Sequence, residues 1–189
     1  MRKIDRKFDD MFDNIFIDIA SFLSPLFKKL GFTPNMITGI NIYFSILCIY
    51  HLYLQNYNYA GIYFLLSYFF DVFDGFYARK YNMETEFGDL LDHYTDYISF
   101  ISLYYFLFFK IKFKNHNYII IIIIFLTITS FYHLACTEHY TNNNLKTNGQ
   151  LKRLKYYCSN KEHINISKLL GPGTLVVAIS IILLYYVDI

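Results

Sequence analysis

At 189 residues with a net charge of +2, 55% hydrophobic and 21% Phe or Tyr, the chain is one domain long and richer in apolar and aromatic residues than a soluble domain of that size. So small a charge gives no electrostatic case for a nucleic-acid partner, and the run NYIIIIIIFLTITSFYHLACT, residues 117–137, does not suit a water-facing surface. The three cysteines, Cys48, Cys136 and Cys158, contain no CxxC pair and are too few for a disulfide framework, so they read as small apolar fillers.

Residues 1–32 lack a signal-peptide pattern because Asp9, Asp10, Asp13 and Asp18 interrupt the apolar residues, and they are expected to remain on the protein. Phe12, Ile15, Phe16, Ile19, Phe22 and Leu23 recur at helical spacing with the acids mainly opposite. That pattern suits an amphipathic helix lying in the membrane interface until Pro25 interrupts it, or an ordinary packing helix.

Five stretches are long enough to cross a bilayer, which takes about 20 residues. The first opens at Thr33-Pro34-Asn35, a cap residue followed by a helix-starting proline, and runs to about Leu54. The second covers about 59–79 and carries Asp71 and Asp74 in its last turns. The third covers about 88–109 and carries Asp89, Asp92 and Asp96 in its first turns. Residues 118–137 make the fourth and 169–187 the fifth, with Gly171-Pro172-Gly173 loosening its first turn. The expected fold is therefore all-α, a polytopic bundle of five to six transmembrane helices. Any sixth span lies within 139–168. The division is 1–32 as the interfacial segment and 33–189 as the membrane domain.

Lys and Arg cluster at the N-terminus, at Arg79-Lys80 and between 146 and 168, which places these segments and the acids on the cytoplasmic side; Lys110, Lys112 and Lys114 break the rule.

Between residues 71 and 96 stand seven acids against two bases. Asp71 and Asp74 are three apart and Asp92 and Asp96 four apart, so each pair projects from one helix face. The eight residues Lys80 to Phe87 are so short a connection that the two helices must return antiparallel, bringing both pairs to one end of the bundle. A lone charge at that depth costs at least ~2.5–3.5 kcal/mol, so the four carboxylates need neutralising charge. Arg79 supplies one, and oxygen-only ligands favour Mg²⁺ or Mn²⁺, with Ca²⁺ also possible; two ions ~3.5–4 Å apart would balance the set. Gly75, Ala78 and Gly88 keep the same faces clear, either for close helix packing or as room for a ligand.

Asp71-x-x-Asp74-Gly75-x-x-Ala78-Arg79, eight residues, then Gly88-x-x-x-Asp92-x-x-x-Asp96 resembles the complete signature of the CDP-alcohol phosphotransferases, and TPNMIT at 33–38 resembles the opening of their first span. The resemblance is good over about residues 30–110. It implies a membrane enzyme of phospholipid synthesis that displaces CMP from a CDP-linked donor by an acceptor hydroxyl, a Mg²⁺ or Mn²⁺ cofactor of two ions, and a homodimer. Under it Asp71, Asp74, Asp92 and Asp96 are metal ligands, with Asp96 also the general base. Asp74, Gly75, Ala78, Arg79 and Gly88 then bind the nucleotide and donor phosphate.

Gly88-x-x-x-Asp92-His93 is similar to the choline and ethanolamine branch, which implies CDP-ethanolamine or CDP-choline as donor, diacylglycerol as acceptor, and the endoplasmic reticulum if the source is eukaryotic. The alternative is phosphatidyl transfer from CDP-diacylglycerol to inositol, serine or glycerol phosphate. Further off lies a divalent-cation transporter or inactive scaffold, which leaves Arg79 and the three small residues without a role. His93, His133, Glu138 and His139 are weaker candidates for contact with the acceptor, whereas Glu84, Glu86 and Asp89 read as solvated.

Overall fold

The computed structural model describes residues 2–141, 157–158 and 163–187, and among them it is all helical. The helices are α1 (Met11–Lys29), α2 (Pro34–Tyr53), α3 (Tyr57–Tyr81), α4 (Glu86–Phe109), α5 (His116–Thr141), α6 (Ile164–Ser167) and α7 (Pro172–Tyr185), with short 3-10 turns at Arg6–Phe8 and Lys168–Leu170. The expected spans 33–54, 59–79, 88–109, 118–137 and 169–187 correspond to α2, α3, α4, α5 and α7. Most of the interval in which a sixth span was sought, 139–168, lies outside the described residues.

Helices α2, α5 and the stretch Ile164–Tyr185 are long and apolar enough to cross a membrane. Helix α3, with 25 residues and a rise of ~1.5 Å each, also has the length, but its acidic turns lower its hydropathy. The outer surface matches a lipid solvent: Tyr43, Ile46, Tyr50, Ile121, Phe125 and Ile128 are all exposed.

Local chemistry sets the helix ends. Thr33 accepts from the Met36 N–H, with Pro34 at the first helical position of α2, and Thr85 accepts from the Gly88 N–H at 3.0 Å to start α4. Asn82, in left-handed conformation (φ 54°), ends α3 and turns the chain back toward α4 within four residues. The two acidic turns therefore sit at the same end of the bundle. The α4–α5 connection lies at the other end, where Phe113 bridges Val187 and the Lys114 N–H donates to the Tyr186 carbonyl.

One core, including Phe64, Leu103, Leu107, Ile123, Val176 and Leu183, joins α3, α4, α5 and α7. Gly61 marks the closest approach of α3 and α7: a Cβ there would stand 2.9 Å from the Ser180 carbonyl oxygen. A second core, with Ile17, Ala20, Ile37, Phe73, Phe76 and Tyr77, seats α1 against α2 and α3 at the acidic end.

Helix α1 corrects the sequence reading in one respect. Pro25 does not interrupt it; the helix runs on to Lys29. Proline has no N–H to give the Ser21 carbonyl one turn back, and that carbonyl is satisfied instead by the Ser24 hydroxyl at 2.9 Å and the Lys80 ammonium at 3.4 Å. Met11, Ile15, Ile19, Phe22 and Leu26 form the exposed stripe, while Asp10 and Asp13 are buried.

Cys136 and Cys158 form a disulfide that ties α5 to the turn before α6, contrary to their reading as fillers. Twenty-two residues separate them, so the pairing depends on the return of the chain. Cys48 is buried and free, as a small apolar residue would be.

Candidate active site

Asp71, Asp74 and Asp92 each offer a carboxylate oxygen, and these oxygens all lie within 4.8 Å of one another. Asp71 also approaches Asp96, so α3 and α4 bring all four predicted acids together. Asp74 is buried and the other three are half-buried. Oδ2 of Asp74 and Oδ1 of Asp92 are enclosed yet have no hydrogen-bond partner among the described residues. Buried carboxylate oxygens rarely remain unpaired. Two orphaned oxygens on facing helices, amid four acids, fit a hard divalent cation, which binds oxygen ligands.

Beside the acids lies a cleft lined by Asn35 and Thr38 of α2, Asp74, Gly75, Ala78 and Arg79 of α3, and Gly88, Asp89 and Asp92 of α4. All the residues expected to bind nucleotide and donor phosphate line this one space. The glycines leave room for polar neighbours. A Cβ on Gly75 would lie 3.2 Å from an Arg79 nitrogen, and one on Gly88 would lie 3.0 Å from Asn35 Oδ1 and from Thr85 Oγ1. Gly75 thus lets the guanidinium fold back over α3, and Gly88 admits Asn35 and the capping hydroxyl. Glu84, Glu86 and Asp89 are exposed, as expected, although Glu84 and Asp89 border the cleft. His93 stands beside Asp92, 3.7 Å from Nδ1 to Oδ2. His133 and Glu138 are directed elsewhere: His133 Nδ1 meets Ser167 Oγ at 3.0 Å, and Glu138 pairs with Lys3. The side chain of His139 lies outside the described residues.

Two features escaped the sequence reading. The first is a polar stripe on α2, in which Asn41 Nδ2 donates to Asp71 Oδ1 at 3.4 Å and Ser67 Oγ donates to Asn41 Oδ1 at 2.7 Å. Its signal was the i, i+3, i+6, i+10 spacing of Asn35, Thr38, Asn41 and Ser45 in an otherwise apolar span. The second is a carboxylate pair beneath α1. Asp10 accepts from the Phe12 N–H at the start of its own helix, and from the Gly171 N–H (2.9 Å) and Thr174 hydroxyl (2.6 Å) at the start of α7. Asp13 accepts from Tyr68 at 2.7 Å, three residues before Asp71.

Gly173 is required for that approach, since a Cβ there would lie 2.6 Å from Asp13 Oδ1 and 2.8 Å from Asp10 Oδ1. The Gly-Pro-Gly therefore admits two carboxylates to a helix N-terminus rather than merely loosening a turn. Burial pushes Asp13 up to about 7, with the neighbouring Asp10 adding to the rise, and pushes Asp9 up to about 6 against the opposing pull of Arg2.

The fold and site together are those of an all-α integral membrane bundle, with spans of membrane length and with four carboxylates and an arginine gathered around a cleft at one end. The chain belongs to the CDP-alcohol phosphatidyltransferase family, whose pattern matches residues 32–187. Over 75 residues it is 39% identical to a protein of Pyrococcus horikoshii named archaetidylinositol phosphate synthase, a match covering 40% of each chain. Over 99 residues it is 31% identical to an uncharacterized protein of Aquifex aeolicus, covering 52% of this chain and 48% of that one. Each alignment thus spans less than half of the relative's length. No solved structure matches significantly.

Proposed function

We propose that the protein transfers a lipid phosphoryl group from a CDP-linked lipid to the hydroxyl of a polar alcohol such as inositol phosphate, releasing CMP. The observation that carries this reading is the convergence of Asp71, Asp74 and Asp92, with Asp96 beside Asp71, next to the Arg79 cleft, in a chain that resembles a protein named archaetidylinositol phosphate synthase. That resemblance favours a CDP-lipid donor over the CDP-choline or CDP-ethanolamine donor suggested by Asp92-His93.

In this reading Asp71, Asp74, Asp92 and Asp96 hold two divalent ions, Mg²⁺ or Mn²⁺, which when bound supply positive charge against the diphosphate and the departing CMP. Arg79, laid over Gly75, binds a donor phosphate, and Gly75, Ala78 and Gly88 keep the nucleotide cleft open. Asp96 takes the proton from the acceptor hydroxyl as its oxygen attacks the phosphorus bearing the lipid; the bond from that phosphorus to the CMP oxygen breaks, and CMP departs. Residues 33–189 make the catalytic domain, and residues 1–32 seat it at the interface. Cytoplasmic placement of the acidic end follows from the Lys and Arg clusters. The exposed stripe Leu90, Tyr94, Tyr97, Ile98, Ile101 and Tyr105 on α4 gives a homodimer room to form.

Product analysis tests the reading. Purified protein in lipid vesicles receives labelled CDP-diacylglycerol or CDP-archaeol with inositol phosphate, inositol, serine or glycerol phosphate; a parallel reaction receives CDP-ethanolamine with diacylglycerol. A labelled phospholipid from the first set, absent in Asp96→Asn, is expected. Product from the CDP-ethanolamine reaction alone would restore the amino-alcohol reading, and product from neither would reject transferase activity.

A further inference from the structure

Asn41, Ser45 and Ser67 form a polar group between α2 and α3, each less than a tenth exposed. Unpaired polar atoms at such a depth are costly, and these three are paired with one another. Ser45 Oγ and Ser67 Oγ are 2.7 Å apart, and Ser67 Oγ stands 2.7 Å from Asn41 Oδ1. Beyond the amide lies Asp71 Oδ1, 3.4 Å from Asn41 Nδ2.

A carboxylate only accepts, so the amide must turn its NH₂ to Asp71 and its oxygen to the serines. Serine hydroxyls rotate to suit, which lets Ser45 donate to Ser67 and Ser67 donate to Asn41. Ser45 also lies within reach of the amide oxygen, at 3.3 Å, so both serines brace Asn41 Oδ1 and the network ends on Asp71 through the amide NH₂.

We infer that Asn41 is a positioning residue, held by Ser67 and Ser45, that fixes the Asp71 carboxylate in the orientation needed to ligate a divalent cation. The inference rests on the proposed metal site. Antiparallel α2 and α3 place Asn41 level with Asp71, one turn deeper than Thr38 and the cleft. Asn41 does not line the cleft, and it acts on the ligand through Asp71 alone. Partners that orient metal ligands in this way commonly account for a 10- to 100-fold effect on affinity.

The competing explanation is that the three residues merely hold two membrane helices together. Mn²⁺ affinity, measured by the loss of the free-ion electron paramagnetic resonance signal on full-length protein in nanodiscs, separates the two, with thermal unfolding followed in parallel. Asn41→Leu is expected to weaken Mn²⁺ binding about 10-fold or more. Ser67→Ala, which leaves the amide beside Asp71, is expected to lower thermal stability but to change affinity less than about threefold. Should Asn41→Leu not fold, Asn41→Thr keeps a hydroxyl for Ser67, cannot reach Asp71, and carries the same expected loss.

Affinity within about twofold of wild type in a folded Asn41 variant would overturn the inference and leave the metal site standing. Equal losses in the Asn41 and Ser67 variants would also overturn it, in favour of helix adhesion. Wild-type protein that binds no Mn²⁺ would overturn the metal reading itself.

Discussion

Asp13→Asn should make the protein more stable, by an amount that depends on pH. Asp13 is 8% exposed between α1, Tyr68 and the start of α7, and burial holds its carboxyl at about 7 against an ordinary value of 3.8, with Asp10 contributing. The native fold thus holds this proton more tightly than the unfolded chain does. Its contribution to stability is greatest in acid and is lost as pH rises from near 4 to near 7. Asparagine has no such proton, and its Oδ1 can still accept from Tyr68.

At ~1.36 kcal/mol per pH unit, the advantage of Asp13→Asn over wild type should grow by roughly 2 kcal/mol between about pH 5 and pH 7 and level off about a unit above that. Thermal unfolding in detergent, followed by far-ultraviolet circular dichroism across that range, reads the gap directly. A gap that stays constant with pH, or one that closes as pH rises, would refute the reasoning.

The remaining predictions are structural. Gly61→Ala places a Cβ 2.9 Å from the Ser180 carbonyl and should destabilise the α3–α7 contact by about 1–3 kcal/mol, seen as a lower unfolding temperature. Gly75→Ala meets only the movable end of Arg79 at 3.2 Å, so folding should be unchanged while KM for the CDP donor rises in a CMP-release assay. Maleimide labelling of denatured protein should modify one thiol, Cys48, without reductant and all three after reduction, because Cys136 and Cys158 are paired. Three labelled thiols before reduction would contradict the pairing.

Lipid makes the spans easy to read, because a hydrocarbon layer demands about 20 apolar residues and the cap Thr33 marks where the first of them begins. The acidic site is legible for a related reason. Carboxylates are costly in that setting, so Asp71, Asp74, Asp92 and Asp96 stand out, and the short turn around Asn82 allows their helices only one relative direction. Partners distant in sequence leave no such trace. Asp10 looks solvated until the start of α7, 161 residues later, supplies its donors. Pro25 looks like a stop until Lys80 and Ser24 take up the Ser21 carbonyl that it strands. Asn41 looks like an ordinary polar residue in a span until Asp71 lies opposite it.

The most direct measurement is CMP release from CDP-diacylglycerol in vesicles, for wild type, Asp71→Asn and Asp92→Asn, with Mg²⁺ and with excess chelator. Release by wild type that requires Mg²⁺ and falls at least 100-fold in both variants is the predicted result. Chelator-resistant release, or variants as active as wild type, would show that the converging carboxylates are not the catalytic centre.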